Sequence, residues 1–149
     1  MAKISNTFMS LLLRSPLHGI FSSGMMVLTY KGRKTGRQIS VPIGYNVQSD
    51  GSLLSTSLRS RTWWRNLRGG APVALHLKGR SRKAYGEAMQ APIDVMKELD
   101  DLFRLKPSQA RYFGLQLGPE GLPDSTGLQR LAKDRVVVRF ELEKLPSQP

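Results

Sequence analysis

The stretch 24-GMMVLTYKGRKTGRQISVPIGYNV-47 decides how this chain folds. Gly24 to Tyr30 is a short apolar run that ends in a glycine-containing basic turn. Gln38 to Val47 then alternates strictly, with Ile39, Val41, Ile43, Tyr45 and Val47 on one face and Ser40, Pro42, Gly44 and Asn46 on the other. Two alternating runs around a glycine-bearing turn predict a β-hairpin with its loop near Gly32 to Gly36. Pro42 cannot donate to a β-ladder and Gly44 has no side chain. The second face therefore reads either as a surface that a flat ligand approaches closely or as an edge strand with a bulge.

Working outward, Ser49-Asp50-Gly51 predicts a turn and Ser52 to Leu58 the next strand. Thr62 can cap a short helix through Trp63, Trp64, Asn66 and Leu67 that ends at Gly69-Gly70. Pro72 to Lys78 and a run from Arg80 to about Met89 supply two more strands, so five strands are expected in meander order. A closed or nearly closed antiparallel barrel would leave few exposed edges. Pro92 opens a helix with an apolar stripe of Val95, Met96, Leu99, Leu102 and Phe103 that Lys106-Pro107 terminates. A second helix is expected from Ser108 to Leu117, a loop from Gly118 to Gly127, a short helix at Leu128 to Lys133, and a last strand in 134–143. Upstream, Ile4, Phe8, Leu11 and Leu12 lie at helical spacing until Ser15-Pro16, which predicts an N-terminal amphipathic helix over 1–15 packed on the core, with a membrane-surface anchor as the alternative.

The expected organisation is one domain over 1–149, with the barrel core at 24–90 and helices at 92–117. The 149 residues suffice to bury roughly 70% of the unfolded chain's surface. The sequence contains no cysteine, which excludes disulfides, thiolate metal sites and a cysteine nucleophile. Its two histidines, His18 and His76, are far apart and make a histidine metal centre improbable. The start of the chain lacks a signal pattern, and a cytoplasmic protein, with membrane association as a variant, is the expectation.

Charge is concentrated. Between Lys31 and Lys83 there are twelve Lys or Arg and one acid, Asp50, whereas residues 84–149 hold nine basic and ten acidic residues. That region thus carries +11 of the chain's net +12. Nucleic acid, an anionic membrane surface and a small polyanion are the usual partners of such a region. These charges gather at a turn and a short helix, where a helix-long stripe would favour nucleic acid, so the small anion is preferred.

The residues supply binding groups and no evident acid-base machinery. Arg33, Lys34, Thr35, Gly36 and Arg37, with the amides of Gly32 and Gly36, can hold a phosphate or carboxylate. Ser55, Ser57 and Arg59 add donors at a strand end. Trp63 and Trp64, beside Arg61 and Arg65, offer apolar faces for stacking, though one of the pair is expected in the core. GRKTG has neither the spacing nor the following helix of a P-loop. The carboxylates Asp94, Glu98, Asp100 and Asp101 read as a solvated helix face.

GRKTG, a following strand with Val41-Pro42, a serine-rich strand end and 63-WWRNLRGGAPV-73 together resemble the deazaflavin-dependent nitroreductase family. The resemblance covers about residues 8–90, and 134-DRVVVRFELE-143 resembles the family's last strand. It implies an α+β split β-barrel, of the kind that binds flavin mononucleotide, with flanking helices. It further implies a monomeric or homodimeric oxidoreductase that passes hydride from the deazaflavin coenzyme F-420, or alternatively from flavin mononucleotide, to a quinone, nitro compound or other small acceptor. On this resemblance Arg33, Lys34 and Thr35 hold the coenzyme's acidic tail, Val41 and Pro42 lie along its ring, Ser57 and its neighbours meet the ring's polar edge, and Trp63 anchors the wall. The chain departs from the family pattern in its short basic segment Leu58 to Thr62, and in having only Tyr112 where the family places several tyrosines before the last strand.

Overall fold

Lys78 and Gly79 both adopt positive φ, 49° and 77°, and form the two-residue turn that a tight hairpin with right-twisted strands requires. This hairpin belongs to a seven-stranded antiparallel sheet in a computed structural model that describes residues 24–118 and 123–144. Its strands are β1 (Met25–Lys31), β2 (Gln38–Gly44), β3 (Asn46–Val47), β4 (Leu53–Leu58), β5 (Ala71–Leu77), β6 (Arg80–Met89) and β7 (Arg135–Leu142). A 3-10 helix, Trp63–Leu67, lies between β4 and β5, and the helices α1 (Pro92–Leu105), α2 (Pro107–Tyr112) and α3 (Ser125–Asp134) lie between β6 and β7. The expected N-terminal helix, His18 and the chain's last five residues lie outside the described residues.

The β1–β2 hairpin forms with the register Lys31↔Gln38 through Met25↔Gly44. The meander does not continue beyond it. The order is β2-β1-β5-β6-β7-β4-β3, because β1 takes β5 as its second partner and β7 enters between β6 and β4. The single strand expected over 38–47 is also two strands. After Gly44 the chain leaves β1 and starts pairing with β4, so the first and last strands of the sheet are consecutive in sequence. Tyr45 N–H donates to Gly24 O at 2.9 Å and the Ser55 hydroxyl donates to Gly44 O at 2.7 Å, which tie this corner together. The result is an α+β architecture with a strongly curled, barrel-like antiparallel sheet.

Strand alternation sorts the apolar residues into two cores. Met26, Leu28, Ile43, Leu53, Leu75, Val136, Val138 and Phe140 fill the inside of the curl. Leu54 and Val137, on the opposite face, pack against Val95, Leu99, Leu102 and Phe103 of α1, Ala110 of α2, and Leu128 and Ala132 of α3. Burying each such large apolar side chain is worth about 1.5–3 kcal/mol. Gly86 sits opposite Phe140, and a Cβ there would lie 2.8 Å from the ring, so glycine makes room for the largest fully buried side chain of the inner core.

The helix ends follow local chemistry. Pro92 takes the first turn of α1 as expected. The expected second helix to Leu117 stops at Tyr112 because Gly114, at φ 79°, donates to Arg111 O while Leu115 N–H donates to Ala110 O. Conversely α3 begins at Ser125, three residues before the expected start, because the Asp124 carboxylate accepts from Thr126 N–H at 3.2 Å.

Candidate functional site

The turn after β1 is closed on itself. Gly32 N–H donates to Arg37 O and Gly36 N–H donates to Gly32 O, both at 2.8 Å, and Arg37 N–H reaches the Thr35 hydroxyl at 3.3 Å. Gly36 allows this at φ 69°. The two glycine amides expected to cradle an anion are therefore used inside the turn. What the turn presents is its side chains: Arg33, Lys34, Thr35 and Arg37 are all exposed.

Asn66 joins this turn to the 3-10 helix. Its carboxamide oxygen accepts from Arg33 N–H at 3.0 Å, its backbone oxygen accepts from Arg33 Nε at 3.2 Å, and its amide nitrogen donates to Trp63 O at 3.1 Å. In a 3-10 helix residues three apart lie above one another. Arg65 and Arg68, at that spacing, both place their guanidinium carbons over the Trp64 ring, at 5.6 and 5.0 Å from its centroid. Turn and helix thus form one cationic face carrying Arg33, Lys34, Arg37, Arg65 and Arg68. Arg68 and Asn66 were not legible as site residues; the three-residue spacing of Arg65 and Arg68 beside Trp64 is the signal in the sequence that points to the arginine pair.

The remaining expected site residues are placed elsewhere or are already bonded. Trp63 and Trp64 are 8% and 3% exposed and both belong to the inner core, so the pair offers no open ring face; the Trp64 indole N–H is buried without a partner among the described residues. Ser55 is bonded to Gly44 O, and the buried Ser57 hydroxyl donates to Leu58 O at 3.0 Å. Arg59 donates from one terminal nitrogen to Gln90 O at 2.6 Å and Ala132 O at 2.8 Å, bracing the end of α3. Val41 is half-buried against the inner core while Pro42 is exposed. Successive strand residues face opposite ways, so a ring lying on β2 meets Pro42 and not both.

Two clefts flank these elements. An open groove of about 680 Å³ lies where β1 and β5 part, and none of the twelve expected site residues lines it; Lys31 and Gln38, which bracket the basic turn, do. A smaller cleft of about 490 Å³ lies between the β3–β4 turn and α1. There Arg139 pairs with Asp50 and lies 3.8 Å from Glu98, while Arg104 pairs with Asp100 at 2.8 Å. Part of the acidic helix face is therefore engaged with cations and not simply solvated. His76 Nδ1 lies 3.1 Å from the hydroxyl of Ser81, its cross-strand neighbour, and burial lowers its pKa. Among the described residues no group of three or more His, Cys, Asp or Glu is placed to hold a metal ion, and no helix is long and apolar enough to cross a membrane.

The fit to a ring with a polyanionic tail is divided. Five exposed or ring-stacked cations from two tied elements suit the tail. For the ring the structure leaves Pro42 and the side-chain-free Gly44 on the exposed side of β2, whereas the tryptophans and serines are occupied.

No protein-family model and no curated protein matches this sequence. Among solved structures the chain is similar to a protein of unknown function from Agrobacterium tumefaciens, with a TM-score of 0.50 and 13% identity over 89% of this chain and 57% of that one. It is also similar to an F-420 reductase, with a TM-score of 0.46 and 16% identity over 87% and 95% of the two chains. A third is an FAD- and heme-binding protein from Mycobacterium smegmatis, with a TM-score of 0.46 and 16% identity over 99% and 76%. Of these three only the first reaches a TM-score of one half, and at its identity the likeness is one of fold; this chain spans 57% of that structure's length.

Proposed function

We propose that this protein binds a flat heterocyclic redox coenzyme with an anionic tail, a deazaflavin first and flavin mononucleotide second, and serves a quinone, nitro or similar organic acceptor as an oxidoreductase. The observation that carries the reading is the Arg33–Asn66 link, which fuses the basic turn and the arginine-bearing 3-10 helix into one face. The sequence resemblance through GRKTG, Val41-Pro42 and 63-WWRNLRGGAPV-73 points the same way.

In this reading Arg33, Lys34 and Arg37 hold the tail's phosphate and carboxylates, and Arg65 and Arg68 extend the field along it. Charge-assisted bonds of this kind contribute about 1.5–3 kcal/mol each. Pro42 and Gly44 let the ring approach β2 closely. When bound, the reduced coenzyme supplies the hydride, and the protein supplies position and charge. That division of labour accounts for the lack of acid-base machinery noted in the sequence.

Lys34→Ala combined with Arg37→Ala leaves the Arg33–Asn66 link intact and is expected to weaken coenzyme binding at least tenfold, measured by fluorescence titration. An unchanged affinity would remove the tail-binding role.

A second reading has its own support. Because the Trp rings, Ser55 and Ser57 are engaged within the protein, the cationic face stands without ring-specific contacts, as a non-enzymatic module for a polyanion such as nucleic acid or an anionic lipid surface would. Such binding falls steeply with salt and ignores ring chemistry.

A further inference from the structure

The β1–β5 ladder ends early. The two strands pair at Val27↔His76, Leu28↔Leu75 and Thr29↔Ala74, and no further. The next pair in this register would set Lys31 against Pro72, and proline has no N–H to extend a ladder. Thr29, Lys31, Pro72 and Ala74 alternate along their strands with Leu28, Tyr30, Val73 and Leu75 of the inner core, so they belong to the outer face of the sheet. Across the strands Ala74 lines up with Lys83, and Pro72 with Tyr85. Three short side chains, Thr29, Ala74 and Pro72, thus lie between Lys31 on β1 and Lys83 and Tyr85 on β6, and all six line the groove. Short residues between long ones make a floor with raised walls, and about 680 Å³ is an ordinary volume for a small-molecule site.

The walls carry charge and one aromatic ring. Lys31 and Lys83 are exposed, and neither forms an ion pair among the described residues. They stand on strands two apart, about 10 Å from axis to axis, and their four-carbon stems let both ammonium groups reach an anion held above Ala74. Of the two carboxylates lining the groove, Glu141 lies 3.9 Å from Arg139, and Glu143 stands beyond Lys83, its N–H donating to Lys83 O at 2.9 Å. Two lysines against Glu143 leave a charge that matches a monoanion. Tyr85 is 49% exposed and leans on the Gly69–Gly70 turn: its hydroxyl lies 3.5 Å from Gly69 O, and a Cβ on Gly70 would overlap its ring. Gly70 therefore lets the ring settle as a wall of the groove, with surface left for stacking.

We infer that the groove is a binding site for a planar aromatic monocarboxylate, whose ring lies over Ala74 and Pro72 against Tyr85 and whose carboxylate is shared by Lys31 and Lys83. The site is separate from the cationic face formed by the β1–β2 turn and the 3-10 helix, and it stands whether or not that face binds a coenzyme.

The test is calorimetric titration of the full-length protein, with no coenzyme present, using 2-naphthoate and its neutral isostere 2-naphthamide as probes. Naphthoate should bind the wild type saturably and at least tenfold more tightly than naphthamide. Lys31→Gln combined with Lys83→Gln, which removes two exposed charges and keeps the stems, should weaken naphthoate by at least about tenfold, the range of charge-assisted bonds, and leave naphthamide unchanged. Tyr85→Leu should weaken both probes alike, by about two- to tenfold, the range of an aromatic pair. Lys34→Ala combined with Arg37→Ala should bind naphthoate as the wild type does. Absence of saturable naphthoate binding by the wild type, equal affinity for the two probes, or unchanged naphthoate affinity in the double lysine variant would overturn the assignment. So would loss of naphthoate binding in Lys34→Ala with Arg37→Ala, which would put the anion on the cationic face. Because coenzyme is absent throughout, failure of deazaflavin binding would leave this result untouched.

Discussion

Arg59 lies in the most basic segment of the chain, and its guanidinium is committed to two backbone oxygens, Gln90 O and Ala132 O. Removing it leaves both acceptors in a partly buried place without a donor, and unmade bonds to charged donors cost about 1.5–3 kcal/mol. Arg59→Met should therefore lower unfolding stability by that amount in chemical denaturation. A change in coenzyme affinity with unaltered stability would instead mark Arg59 as a ligand residue. The example shows what a sequence displays at this scale. Positive charge is visible in the residue type, but the acceptors of Arg59 are carbonyls 31 and 73 residues further on, and a carbonyl has no residue type to announce it. Ser55 is the same case, since its partner is the Gly44 carbonyl. Lys34 and Arg37, which remain exposed on a turn that closes through its own backbone, could be read directly.

At the scale of elements, the β3–β4 turn is held by one carboxylate. Asp50 accepts from the Ser52 hydroxyl at 2.6 Å and the Ser52 amide at 3.0 Å, and it pairs with Arg139 of β7. The Ser52 bonds first, and then Arg139, lower its pKa from the ordinary value near 3.8. A carboxylate whose folded-state pKa is depressed stabilises the fold above its unfolded value and loses that contribution as pH falls through the folded one. Asp50→Asn should therefore be less stable than wild type at pH 7, and the difference should shrink as the pH is taken below about 3.8 toward the lower folded value. A difference independent of pH would contradict this account of the turn. Elements were legible where their signals are local. The β1–β2 hairpin and α1, opened by Pro92, follow from spacing and turn residues, whereas the end of α2 depended on Gly114 and the start of α3 on Asp124, single capping residues that outweighed the apolar pattern.

For the whole molecule, the strands could be counted from the sequence but not ordered. Alternation tells which face of a strand is buried and nothing about its neighbour, so β1 meeting β5 and β7 entering between β6 and β4 had no local sign. The same pairing creates the groove, since the β1–β5 ladder is one that a meander would not contain. The net +12 charge was legible as a regional excess, and the fold then gathers part of it where the β1–β2 turn meets the 3-10 helix. In the proposed reading this face holds an anionic tail while the ring chemistry sets specificity. The direct test is titration of the purified protein with oxidised and reduced F-420 and with flavin mononucleotide at two salt concentrations, following coenzyme fluorescence. The account predicts saturable binding that discriminates between the two ring systems and persists at the higher salt. Binding that is indifferent to the ring and collapses with salt, or no binding of any of them, would contradict it.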